Sequence, residues 1–170
     1  MEGKPIATMR DERTQPPIGL FRLFLAMALV PGCVAFIWSN SFLSAAESSL
    51  RSKVVADFLV GILSNVLPRG HWILQYVYAN VRKIAHAVEF FVLGMGTVFF
   101  FVLLRRVNVH TLLHALLIVV VVAVIDETIQ SFTGRGDSVR DVVLDSVSGL
   151  AGIALMGIGS ALIRNSNRRR

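Results

Sequence analysis

Four long apolar stretches dominate the chain, at about Leu20 to Phe42, Arg82 to Leu104, His110 to Phe132 and Ser138 to Ile163. An apolar run of about 18 or more residues reads as a transmembrane helix, because about 20 residues at 1.5 Å rise cross the hydrocarbon core. Four in succession predict an all-α integral membrane bundle rather than a soluble domain with buried helices. The connections after the second span are short, which makes consecutive helices antiparallel neighbours. The stretch between the first two spans differs in kind. Leu50, Val54, Phe58, Ile62 and Val66 recur every four residues, with Val55, Leu59, Leu63 and Leu67 in an adjacent row. Arg51, Ser52, Lys53, Asp57, Ser64 and Asn65 fall on the other side. This predicts an amphipathic helix over 47–67 that lies in the interface or packs against the bundle, stopped by Pro68-Arg69-Gly70. Trp72, Tyr76 and Tyr78 suit an interfacial aromatic belt.

Three parts follow from this pattern. Residues 1–19, polar and carrying Pro5, Pro16 and Pro17, read as a disordered cytoplasmic lead. Residues 20–163 form the four-helix membrane domain, and 164–170 a basic cytoplasmic tail. The first span has small residues after it, Ser44-Ala45-Ala46, as a cleaved signal would, but its length favours a retained helix.

Composition agrees, with 54 % hydrophobic and 16 % charged residues among 170 and a mean hydropathy of +0.65. Charge needs more care. A net charge of +6 and a pI of about 10.4 would fit nucleic-acid binding. The basic residues, however, stand beside apolar spans, where they act as orientation signals, so the expected partner is the bilayer and not nucleic acid. With a cytoplasmic N-terminus, Lys4, Arg10, Arg13, Arg22, Arg105, Arg106, Arg164 and Arg168–Arg170 lie inside. Arg51, Lys53, Arg69, Arg82, Lys83, Arg135 and Arg140 then lie outside, seven against ten. Both termini are therefore expected in the cytoplasm. The single cysteine, Cys33, excludes an intramolecular disulfide and a cysteine metal cluster. Its setting, Val30-Pro31-Gly32-Cys33, is a poor lipidation site, because proline precedes and the apolar run continues to Trp38.

The ionisable residues inside the spans change the picture. The second span carries Lys83, His86 and Glu89 at intervals of three, near one side of the helix. The third ends with Asp126, Glu127 and Gln130, and the fourth begins with Arg140, Asp141 and Asp145. Antiparallel packing gathers these helix ends at one face, the outer one by the charge bias. Ionisable groups within a span cost roughly 2.5–3.5 kcal/mol each on insertion scales and normally face a cavity or one another. Carboxylates at the C-terminal end of the third helix also oppose its dipole, so stability alone does not recommend Asp126-Glu127 there. In the connecting loop, Gly134 and Gly136 allow a tight return around Arg135, whose planar fork suits a carboxylate or phosphate. Asp137 or Ser138 is placed to cap the fourth helix, whose N-terminus favours anions. Gly149, Gly152 and Gly157 let another helix approach closely.

At this point two blocks resemble VanZ-like membrane proteins. Lys83-Ile84-Ala85-His86-Ala87-Val88-Glu89-Phe90 is similar to the family's Lys-x-x-His-x-x-Glu-aromatic pattern. Asp126-Glu127-Thr128-Ile129-Gln130-Ser131-Phe132, Gly134-Arg135, Asp141 and Asp145 to Gly149 are similar to its second block. A serine-containing stretch, Ser39-Asn40-Ser41 to Ser48-Ser49, is weakly similar too. Thr133 replaces the family's proline before Gly-Arg, and Ala87 an aromatic after the histidine. The resemblance implies a multi-pass protein of the bacterial cytoplasmic membrane, in a family whose founding member is associated with teicoplanin resistance. It implies no settled activity.

Three functions fit these residues. One is a non-catalytic module that binds or interacts with an envelope component, an envelope protein or a lipid-linked precursor, its polar cluster a satisfied network holding three helices together; Lys83, Gln130, Arg135, Arg140 and Asp141 are the candidate anion- or substrate-binding residues. The second is an enzyme on such an anionic, lipid-linked substrate, with His86, Glu89, Asp126, Glu127 and Asp145 as acid–base candidates. No nucleophile motif accompanies them, so the residues decide neither for nor against catalysis. The third is a divalent-metal site drawn from His86, Glu89, Asp126, Glu127, Asp141 and Asp145, centred on His86, Asp126 and Asp145, with the ion as a cofactor.

Overall fold

A computed structural model of the chain describes residues 19–168, apart from Arg69 and Asp137. Among the described residues it has five helices and no strand: α1 Leu20–Ser41, α2 Ala45–Leu63, α3 Trp72–Leu103, α4 Val109–Phe132 and α5 Val139–Arg168. All but α2 are long and apolar enough to cross a membrane, as the four apolar runs predict. The lead before Gly19 and the last two residues of the basic tail lie outside the described residues.

Helix α3 is longer than its apolar run. It begins ten residues before Arg82, because no breaker separates that run from Gly70, which turns the chain at φ 88°, and because the His71 side chain accepts from Ile73 N–H. Trp72, Tyr76 and Tyr78 therefore occupy its first two turns, exposed on a helix rather than in a loop. Its 32 residues span about 48 Å, more than the roughly 30 Å of hydrocarbon. The helix ends in a Schellman motif, with Arg105 N–H bonded to Val102 O and Arg106 N–H to Phe101 O. Arg105 takes the left-handed conformation (φ 55°) that this motif requires.

Helix α2 starts with a capping box, in which Ser44 and Glu47 bond each other's backbone N–H. Ser44 Oγ also donates to Glu47 Oε2 at 2.7 Å, and this bond together with that from the Ser44 backbone N–H holds the Glu47 carboxyl below its ordinary range. The helix packs against α3, but not by its four-spaced apolar row. Leu50, Val54, Phe58 and Ile62 face outward, and the small residues Ser48 and Ala56 are the buried ones. Small side chains allow the close approach, and the apolar row is left on the exposed surface.

Helix α3 is the centre of the bundle and touches each of the other four. The core joins Ile37 of α1, Phe90, Leu93 and Val98 of α3, Ala115, Val119, Val122 and Ala123 of α4, and Ile153 of α5. Its tightest contact is with α5, two helices further along the chain. A Cβ on Gly94 would lie 2.1 Å from the Gly149 carbonyl oxygen, and one on Gly152 would lie 2.1 Å from that of Phe91. The expected close approach is thus made by Gly149 and Gly152 against α3. Gly157 meets only the Leu112 side chain, at an ordinary 3.6 Å.

Gly152→Ala has no room without separating α3 from α5 and is expected to destabilise by about 1–3 kcal/mol. Gly159→Ala, with open space around it, is expected to be neutral or slightly stabilising. Thermal unfolding of both variants in mild detergent checks the contrast.

Candidate functional site

The glycine contact sets the register of the site. His86 and Asp145 lie one turn before Phe90 and Gly149, the pair that touches across α3 and α5. Helix α4 runs the opposite way, and its Asp126 lies two turns beyond Val119, which packs on Gly149. Side chains lean toward their own helix N-terminus. Asp126 therefore leans back into the bundle while His86 and Asp145 lean outward, and the three meet. His86 is 14 residues into α3, not in its first two turns, yet it shares the depth of the two aspartates as the sequence predicts.

Asp126 is fully buried and well provided for. Its Oδ1 accepts a hydrogen bond from Ser41 Oγ at the end of α1, and its Oδ2 accepts one of 2.6 Å from Gln130 Nε2. Gln130 Oε1 in turn accepts one of 2.7 Å from Arg82. His86 Nδ1 stands 3.7 Å from Asp126 Oδ2 and 4.0 Å from Asp145 Oδ2, beyond hydrogen-bonding distance of both. Asp145 is 3 % exposed and accepts no hydrogen bond among the described residues.

The loop after α4 closes the site from above. Gly134, at φ 75°, and Arg135 form a Schellman motif on α4, with Gly134 N–H on Ser131 O and Arg135 N–H on Gln130 O. This aims Arg135 at the end of α1, where Nη2 donates to Asn40 O (2.8 Å) and Nη1 to Ser48 Oγ of α2 (3.0 Å). Thr133 Oγ1 donates to Ser41 O at 3.2 Å. The last carbonyls of α1, which have no partner within their helix, thus receive a cation and a hydroxyl. Arg135 Nε is buried without a hydrogen-bond partner among the described residues. Burial and the nearby Arg82 press the Arg135 pKa below its usual value, although a guanidinium stays charged.

Glu127 has its own explanation. It accepts the Ser138 backbone N–H at 2.5 Å, and so fills the anion position at the start of α5. Ser138 serves that helix end through its backbone, and Asp137 lies outside the described residues. Glu89 turns toward α1 and accepts from Asn40 Nδ2 at 3.0 Å.

Two cavities flank this network and share Arg82, His86 and Arg135 as a wall. The first, about 260 Å³, lies among α1, α2 and α3. Arg51, Arg82, Arg135 and Glu89 stand at its polar side, and Phe36, Leu43, Val55, Val81 and Ala85 form an apolar side. The second, about 220 Å³, is lined by Lys83, Glu127, Gln130, Asp141 and Asp145 from α3, α4 and α5. The amphipathic helix thus covers the first cavity with Ser48, Arg51, Ser52 and Val55.

Of the residues singled out by sequence, His86, Asp126, Asp145, Gln130 and Arg135 come together, with Lys83 and Asp141 at the second cavity. Arg140 is exposed and lines neither cavity. Sequence reasoning missed Arg82, Arg51, Asn40, Ser41 and Ser48. Arg82 and Arg51 read as ordinary interfacial charges, and the other three had only the weak serine-stretch resemblance to signal them. A family model described as VanZ/LLP1 matches residues 23–160, which contain the whole site. Comparison with curated proteins and with solved structures gives no match.

Asp126→Ala would orphan Ser41 Oγ and Gln130 Nε2 and is expected to cost about 1–3 kcal/mol for each buried group left unpaired. Asp145→Ala removes no hydrogen bond and is expected to cost clearly less. Unfolding in detergent, measured for both variants, checks that Asp126 holds the network and Asp145 does not.

Proposed function

This chain belongs to the VanZ/LLP1 family of membrane proteins, and from that premise we propose that it binds the anionic head group of a lipid-linked component of the bacterial envelope. The carrying observation is the first cavity, where three arginines and one glutamate meet an apolar wall. A phosphate with an attached chain matches both halves. Among the described residues the buried Arg135 Nε–H has no acceptor, and an unmet buried donor is costly. Arg82 and Arg51 bring two further forks of donors. A second reading is acid–base chemistry on the bound head group by His86, which borders both cavities with Asp126 behind it. An involvement in glycopeptide tolerance belongs with either reading, and alanine at Arg135 or His86 then raises sensitivity at unchanged membrane abundance.

The site faces outward in this proposal, with both termini in the cytoplasm, on the strength of the basic-residue bias. In a Cys33→Ala background, a membrane-impermeant thiol reagent applied to intact cells should label Ser131→Cys and spare Arg106→Cys. The opposite pattern would put the site on the cytoplasmic side.

Purified protein is expected to bind a long-chain lipid monophosphate. Arg82→Ala and Arg135→Ala each remove a charged donor worth about 1.5–3 kcal/mol, weakening binding on the order of 10–100-fold. Lys53→Ala, outside both cavities, should bind as the parent does. Equal binding by the parent and both arginine variants would refute the assignment.

A further inference from the structure

Three helices each deliver one ligand-type atom to a common point. The nearest such atoms of His86, Asp126 and Asp145 all lie within 4.8 Å of one another. The separations of 3.7 and 4.0 Å from His86 Nδ1 to the two carboxylates are too long for hydrogen bonds. Two of the atoms here, His86 Nδ1 and Asp145 Oδ1, are buried and have no hydrogen-bond partner among the described residues. Asp145 is 3 % exposed, so bulk water does not satisfy it either. Asp126 has Ser41 and Gln130, but a buried Asp145 oxygen beside an unsatisfied imidazole nitrogen is an expensive arrangement to leave unanswered.

We propose that His86, Asp126 and Asp145 bind a divalent first-row metal ion between α3, α4 and α5. Such an ion holds nitrogen and oxygen ligands at about 2.0–2.2 Å, which sets neighbouring ligand atoms roughly 3–3.6 Å apart. Binding would therefore draw the ligand atoms together from separations of 3.7 and 4.0 Å at His86 and up to 4.8 Å across the cluster. The ligand set is one imidazole and two carboxylates with no thiolate, which favours Zn²⁺, Mn²⁺ or Fe²⁺ over a purely oxygen-seeking ion. Metal-binding carboxylates are ordinarily held by further hydrogen bonds, and Asp126 is held in that way by Ser41 and Gln130, with Arg82 behind Gln130. His86 and Asp145 also line the second cavity, so the remaining coordination positions open into it. The network and its cavities gather five carboxylates, Glu89, Asp126, Glu127, Asp141 and Asp145, against four cations, Arg51, Arg82, Lys83 and Arg135. Glu89 and Glu127 are taken by Asn40 and the start of α5, which leaves the three-residue cluster for the ion.

The inference stands apart from the proposed head group, and its test uses no lipid ligand. Full-length protein in mild detergent is loaded with Zn²⁺ or Mn²⁺ alone, freed of unbound metal and analysed for metal content. About one ion per chain is expected, falling below about a tenth in His86→Gln and Asp145→Asn and unchanged in Lys53→Ala. Gln130→Ala, which only loosens Asp126, should weaken affinity by about 10–100-fold. With Mn²⁺ bound, electron paramagnetic resonance should show coupling to one imidazole nitrogen, and His86→Gln should abolish it. Failure of the parent protein to retain stoichiometric metal overturns the proposal, as does parent-like retention in His86→Gln. Bound Mn²⁺ without nitrogen coupling overturns it as well, and that readout needs no variant to fold.

Discussion

A carboxylate in a membrane bundle must be satisfied by the protein, because lipid supplies no hydrogen bonds, and Asp126 imposes this demand at complete burial. Its partners come from two helices, Ser41 at the end of α1 and Gln130 one turn along α4. Once Ser41 is drawn in, the carbonyls at the end of α1 also lie inside the bundle and need donors. Thr133 and Arg135, aimed by the Schellman turn after α4, provide them. Arg135 then reaches Ser48 and ties α2 to the same point. One buried acid thus accounts for the positions of four segments.

The other half of the site depends on a backbone contact. Gly94, Gly149 and Gly152 bring α3 and α5 together more closely than any side chain allows, and His86 and Asp145 are carried along one turn away. Asp126 is fixed by hydrogen bonds, whereas Asp145 is placed only by the helix that bears it. Among the described residues one Asp145 oxygen is left unpaired at the wall of a cavity, and the proposed metal site rests on that feature.

The two cavities differ in their lining. The first pairs arginines with an apolar wall, the combination on which the proposed head-group site rests. The second is rich in carboxylates and borders the His86 cluster, a setting for a cation. Their common wall is Arg82, His86 and Arg135.

Much of this was determined by sequence alone. Apolar run lengths specify four spans because bilayer thickness does, and short connections impose antiparallel order on α3, α4 and α5. Ionisable residues so costly in lipid could only converge, so His86, Asp126 and Asp145 were legible as a group at one depth. Local patterns reached less far. The start of α3 was set by the absence of a breaker after Gly70 rather than by hydropathy, and α2 turned its apolar row outward because lipid competes with the bundle for it. Only the tertiary structure decided that the glycine face of α5 meets α3, two helices removed in sequence. It alone recruited Arg82, Arg51, Asn40, Ser41 and Ser48. Those residues look ordinary in a linear reading, and their roles arise from long-range contacts: an arginine at a helix start is an interfacial charge until a buried glutamine stands opposite it.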